Sequence, residues 1–173
     1  GVALGYDVDL DRIRVELADG DLARSRAGHP QRLRLLVDRV GRFELQAEDL
    51  APAPTEPLLV RLAATPVRST DPTLVHKTTA RHAYEHHRAA MGDAFDVILW
   101  NERGELTETT VGNLVLDLEG DLVTPPVSCG LLPGTFRREL LDHDKIHEQV
   151  LTREDLTRAR SIFMVNSVRG WLE

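Results

Sequence analysis

Apolar positions along the 173 residues fall into short blocks separated by turn chemistry. Asp9–Ala18 carries Ile13 and Leu17 on one stripe behind Asp9 and Asp11, which predicts a short helix capped by an aspartate. A polar stretch at 19–30 holds Gly20, Gly28 and Pro30. Arg32–Asp38 and Phe43–Ala47 then read as two strands. Leu33, Leu35 and Val37 alternate with Arg34 and Leu36, and Gly41 marks the turn of a hairpin. Ala51–Pro57 (A-P-A-P-T-E-P) is proline-rich and predicts a stiff, extended linker.

Beyond the linker, Leu58–Ala64 predicts a strand, Ser69–Pro72 a turn and Thr79–Met91 a helix. Phe95–Trp100 is an apolar strand that runs into a tight turn at Asn101–Gly104. Glu119-Gly120 sits between Leu114–Leu118 and Asp121–Thr124, a second hairpin signal. Gly134–Leu141 opens a helix, and Ile162–Val165 is a late strand. Strands and helices mixed in this way predict an α/β or α+β fold. The domains read as a small one over residues 1–50, a linker over 51–57 and a larger one over 58–173.

Composition adds exclusions. The hydrophobic share of 42% is ordinary for a globular chain. No apolar run reaches the ~18 residues that would suggest a membrane helix. Gly1–Leu10 lacks the basic and apolar regions of a signal peptide. Cys129 is the single cysteine, so no internal disulfide forms. These features fit the cytoplasm. A net charge of −7 argues against nucleic-acid binding and leaves a small-molecule substrate open.

Four segments carry candidate chemistry. In His76-Lys77-Thr78-Thr79-Ala80-Arg81, followed by Tyr84, a lysine stands where an extended segment meets a helix. Buried there, Lys77 would be an amine nucleophile; solvated, it is an ordinary helix-start lysine. In Glu105-Leu106-Thr107-Glu108-Thr109-Thr110-Val111-Gly112-Asn113-Leu114, Glu108 is a carboxylate fit for a protonated ring nitrogen or a cation, or else part of a polar loop. In Gly130-Leu131-Leu132-Pro133-Gly134-Thr135-Phe136-Arg137, the amides of Thr135 and Phe136 would point outward unpaired, an arrangement that favours phosphate. In Phe163-Met164-Val165-Asn166-Ser167-Val168-Arg169-Gly170, an apolar strand ends in polar residues, a common place for ligand contacts or else a strand running into its turn. His82 with His86, and His143 with His147, have i, i+4 spacing but no evident third ligand, so no metal site is expected.

The order of these motifs resembles the class IV aminotransferases, the pyridoxal-phosphate (PLP) enzymes of fold type IV. They are a lysine, then T-E-T-T-V-G-N-L, then T-P-P with G-L-L-P-G-T-F-R, then V-N-S-x-R-G. The H-K-T-T-x-R-x-x-Y and W-N-E-R-G-E-L-T-E stretches look most like aminodeoxychorismate lyase, a domain often fused behind an aminodeoxychorismate synthase subunit. The resemblance implies a large domain like that of D-amino acid aminotransferase, with a truncated small N-terminal domain. It makes Lys77 the catalytic, cofactor-bearing lysine and sets Glu108 against the ring nitrogen. Thr135 and Phe136, with Thr110, Val111 and Ser167, would bind the cofactor phosphate. Arg81, Tyr84 and Asn166 would stand behind them.

The implied reaction is lysis of 4-amino-4-deoxychorismate to 4-aminobenzoate and pyruvate, a step toward folate. The alternatives are a branched-chain or D-amino acid transaminase, or a non-catalytic domain. The implied partners are a second copy of the chain in a homodimer and a fused or associated synthase subunit. The family pattern also places a further N-terminal stretch, with a phosphate-binding arginine, before Gly1. Arg12, Arg14 and Arg24 lie in no matching motif, and Leu172-Glu173 reads as a cloning remnant.

Overall fold

The computed structural model describes residues 4–19 and 29–173. The expected polar stretch at 19–30 lies, but for its ends, outside the described residues, as does Arg24. Two compact units are formed, Gly1–Ala53 and Pro54–Glu173.

In the first unit, α1 (Leu10–Asp19) is followed by β1 (Gln31–Val37) and β2 (Phe43–Asp49). The strands pair antiparallel with Leu33 opposite Ala47 and Leu35 opposite Leu45. Asp38 closes the hairpin by accepting the amides of Val40 and Arg42 at 3.0 and 2.9 Å, and Gly41 supplies a positive φ of 79°. The expected apolar stripe of α1 is narrower than the pattern suggested. Ile13 is buried, whereas Leu17 is exposed.

The second unit contains β3 (Val60–Leu62), α2 (Pro72–Val75), α3 (His82–Ala89), β4 (Asp96–Trp100), β5 (Leu106–Thr109), β6 (Asn113–Leu118) and β7 (Asp121–Thr124). They are followed by α4 (Thr135–Asp142), β8 (His147–Glu148), α5 (Asp155–Arg158), β9 (Ser161–Asn166) and β10 (Gly170–Leu172). The strands form one mixed sheet in the order β10-β9-β6-β5-β4-β3, with β7 and β8 branching from β6. Alternate residues of a strand face opposite sides, and here both sides are covered. Leu114 and Leu116 pack with Ile98, Leu106, Val123 and Leu151, while Val115 packs with Leu140, Ile146 and Val165. Val97 and Leu99 join Leu74 of α2 and Tyr84 of α3.

Several expectations change. Ser69–Pro72 is not only a turn: Asp71 caps α2, accepting the Thr73 amide at 2.8 Å, with Pro72 in the first helical turn. The helix expected from Thr79 begins at His82, because the Thr78 hydroxyl takes the Ala80 amide at 3.2 Å in a local turn. The strand expected over Leu58–Ala64 is confined to Val60–Leu62. Thr107–Thr109 belong to a strand and not a polar loop; every residue of β5 is buried. Leu172 pairs with Met164 in β10, and Glu173 O accepts the Leu58 amide at 2.8 Å.

Candidate active site

Glu108 is 3% exposed on β5. Its Oε1 accepts from the Tyr84 hydroxyl at 2.7 Å and from the Leu132 amide at 3.1 Å. Its Oε2 accepts from Asn113 Nδ2 at 3.2 Å. Burial pushes its carboxyl up to about 8, against the opposing pull of the Tyr84 and Leu132 hydrogen bonds and the charges of Lys77 and Arg81. Burial also raises the Tyr84 phenol, and the facing Glu108 adds to this. A carboxylate has about four acceptor positions. Three are filled, and the one left belongs to Oε2.

Lys77 lies in the extended segment between α2 and α3 and is exposed. Burial therefore does not desolvate its amine, and a nucleophile's role for Lys77 rests on the family resemblance alone. Among the described residues Lys77 makes no hydrogen bond, and its electrostatic partner is Glu108. Arg81 donates from Nη2 to the Thr110 carbonyl at 2.6 Å, and its guanidinium covers the Tyr84 ring at 4.6 Å. These contacts fasten the start of α3 to the β5–β6 turn.

The Thr110 amide and hydroxyl both donate to Asp96 Oδ1, so neither is free for a phosphate. Arg88 reaches the same hydroxyl at 3.1 Å. Val111 is exposed, and its carbonyl accepts Asn166 Nδ2 at 3.3 Å. Asn166 Oδ1 takes the amides of Val168 and Arg169, both at 2.9 Å, and so shapes the turn in which Ser167 is exposed. Thr135 and Phe136 are the first residues of α4. The first backbone bond into that helix runs from Arg138 to Gly134 O at 2.9 Å, so the amides of Thr135, Phe136 and Arg137 remain open. Arg137 anchors the helix through its buried side chain, which donates to Pro125 O at 2.7 Å and pairs with Glu148.

The structure thus brings Lys77, Arg81, Tyr84 and Glu108 together. It sets Val111, Asn166 and Ser167 on neighbouring turns. Asn113 and Leu132 are partners of Glu108 that sequence reasoning passed over. The signal for Asn113 lies in hairpin register: with β5 and β6 joined by a tight turn, Glu108 and Asn113 stand opposite one another. Among the described residues no cluster of three or more metal-ligating side chains forms, and no helix is long and apolar enough to cross a membrane.

The described residues thus combine a buried carboxylate, an exposed lysine that acts on it through space, and a helix start with open amides. The family model for class IV amino-transferases matches residues 2–173. The chain belongs to that family, whose members are PLP-dependent enzymes. A Mesorhizobium loti structure assigned as an amino-acid aminotransferase is 36% identical with a TM-score of 0.89, over 99% of this chain and 83% of that one. A Schizosaccharomyces pombe protein assigned as an aminodeoxychorismate lyase is 33% identical over 106 residues, 57% of this chain and 46% of the relative. A Legionella pneumophila structure assigned as a 4-amino-4-deoxychorismate lyase shares the fold at 20% identity and a TM-score of 0.78, over 99% of this chain and 70% of that one. The chain spans 46% and 40% of the length of the first two curated relatives it matches.

Proposed function

We propose that this chain binds PLP and acts as a 4-amino-4-deoxychorismate lyase, releasing pyruvate and leaving 4-aminobenzoate. The observation that carries the cofactor half is Glu108. A carboxylate buried at 3% exposure and raised to about 8 makes no direct ion pair among the described residues, and Lys77 and Arg81 act on it only through space; its one open acceptor position suits a protonated ring nitrogen. The residues therefore fit the group. Lys77 would hold it covalently through its amine, and Glu108 would hold it at the ring nitrogen. The open amides of Thr135 and Phe136 would take its phosphate, with Val111 and Ser167 as further contacts. The Thr110 donors stay with Asp96 and support the turn. When bound, PLP supplies an electron sink for the carbon that bears the substrate amine.

The chain's own residues do the rest. At neutral pH Glu108 carries a proton that it can share with the ring nitrogen. Tyr84 and the Leu132 amide hold its Oε1 in place. Lys77 Nζ would take the proton from the amine-bearing carbon of the substrate. The C–O bond to the enolpyruvyl group then breaks, the ring becomes aromatic, and the released enolpyruvate gains a proton to become pyruvate.

The lyase half rests on the His76–Tyr84 and Trp100–Glu108 motifs and on the similarity to the S. pombe protein. A second reading, an amino-acid transaminase, is supported by the similarity to the M. loti protein. Turnover separates the two. With PLP, aminodeoxychorismate and no 2-oxo acid, a lyase forms equal amounts of 4-aminobenzoate and pyruvate over many cycles. A transaminase stops after one equivalent per site and resumes only with an acceptor. A cytoplasmic homodimer, with a fused or associated synthase subunit supplying the substrate, belongs to the same proposal.

A further inference from the structure

Asn113 is 4% exposed, and both protons of its amide are committed. Nδ2 donates to Glu108 Oε2 at 3.2 Å and to the Leu132 carbonyl at 2.8 Å. Leu132 returns its own amide to Glu108 Oε1 at 3.1 Å. Glu108, Asn113 and Leu132 thus close a triangle linking β5, β6 and the loop before α4. The other end of the Asn113 amide is equally confined. A Cβ on Gly134 would stand 2.2 Å from Asn113 Oδ1, so this side chain packs against the residue that precedes Thr135. The loop itself is tight there, with the Gly134 amide bonded to Leu132 O at 2.8 Å. One side chain therefore touches the ring-nitrogen carboxylate and also the backbone that aims the open amides of α4.

From this geometry we infer that Asn113 is a positioning residue that sets the spacing between the Glu108 carboxylate and the start of α4. A ligand carrying both a ring nitrogen and a phosphate then engages both at once. The inference rests on the PLP reading and extends it to a residue to which that reading gives no role. Tethering two half-sites at a fixed distance makes the second contact intramolecular. The advantage of PLP over pyridoxal, which lacks the phosphate, measures that coupling, whereas bonding to Lys77 is common to both and cancels in the ratio.

The test is the affinity of the intact protein for PLP and for pyridoxal, followed by absorbance, in wild type and in Asn113→Ala. The preference for PLP should fall by about tenfold or more in the variant, the scale of a buried polar group left without its hydrogen-bond partner, with a smaller loss for pyridoxal. Asn113→Ser, with the same expectation, is the reading variant if Asn113→Ala does not fold. If the two affinities fall by one common factor, or neither falls, Asn113 is merely structural or irrelevant and the inference is overturned. If wild type binds neither aldehyde, the PLP reading fails first and takes the inference with it.

Discussion

The buried Glu108 carboxyl makes stability depend on pH with a sign opposite to that of an ordinary ion-paired acid. Its ordinary value is 4.5, and burial pushes it up to about 8. Between these values the folded protein holds a proton that the unfolded chain has lost. Stability therefore falls as pH rises from about 4.5 to about 8 and levels off above that. At about 1.4 kcal/mol per pH unit, the ceiling is about 5 kcal/mol, less whatever local opening to water recovers. Glu108→Gln removes the titration. It keeps an acceptor for Tyr84 and Leu132 but turns an NH2 toward Asn113 Nδ2, costing about 1–3 kcal/mol at any pH. Urea unfolding of the cofactor-free protein at pH 5 and pH 9 measures the effect. Wild type should lose several kcal/mol more than the variant between the two. Burial also lowers the His87 ring, which acts with the opposite sign below pH 6.5, but it is common to both proteins and cancels in the difference. Equal pH slopes would refute the assignment of a raised, proton-bearing Glu108.

Two further outcomes follow from the same contacts. Tyr84→Phe removes the donor that most lowers the Glu108 carboxyl. Its titration, followed by the pH dependence of unfolding or by carboxyl NMR, should move further up, and an unmoved titration would remove Tyr84 from the site. Gly130→Ala places a Cβ 2.5 Å from the Ser69 backbone at a φ of +87°. The joint strain and clash should cost about 2 kcal/mol or more in chemical denaturation, and a neutral variant would contradict this packing.

Turn chemistry and strand alternation made much of the second unit legible. The Glu119-Gly120 turn, with φ values of 62° and 103°, announced the β6–β7 hairpin. Gly134 announced α4, whose first amides stand open as the glycine-before-helix pattern implied. What stayed hidden is tertiary. Thr107, Glu108 and Thr109 read as loop because they are polar, yet Glu108 lies in a buried strand and finds its partners 24 residues away on each side, at Tyr84 and Leu132. Thr110 looked free to bind phosphate because Asp96, which takes its hydroxyl, stands 14 residues upstream. Local pattern cannot supply such pairings. The roles proposed for Lys77 and Glu108 came from the family resemblance, and the one proposed for Asn113 from the hydrogen bonds alone.

The proposed function requires Lys77 to bear the cofactor. PLP is added to the intact protein and to Lys77→Ala, borohydride reduces the mixture, and peptide mass spectrometry locates the adduct. The expected result is a near-visible absorbance band, a phosphopyridoxyl group fixed on Lys77, and loss of both in a variant that still folds. A folded wild-type protein that shows no band and no adduct would contradict it and leave a non-catalytic domain of the same fold as the better reading.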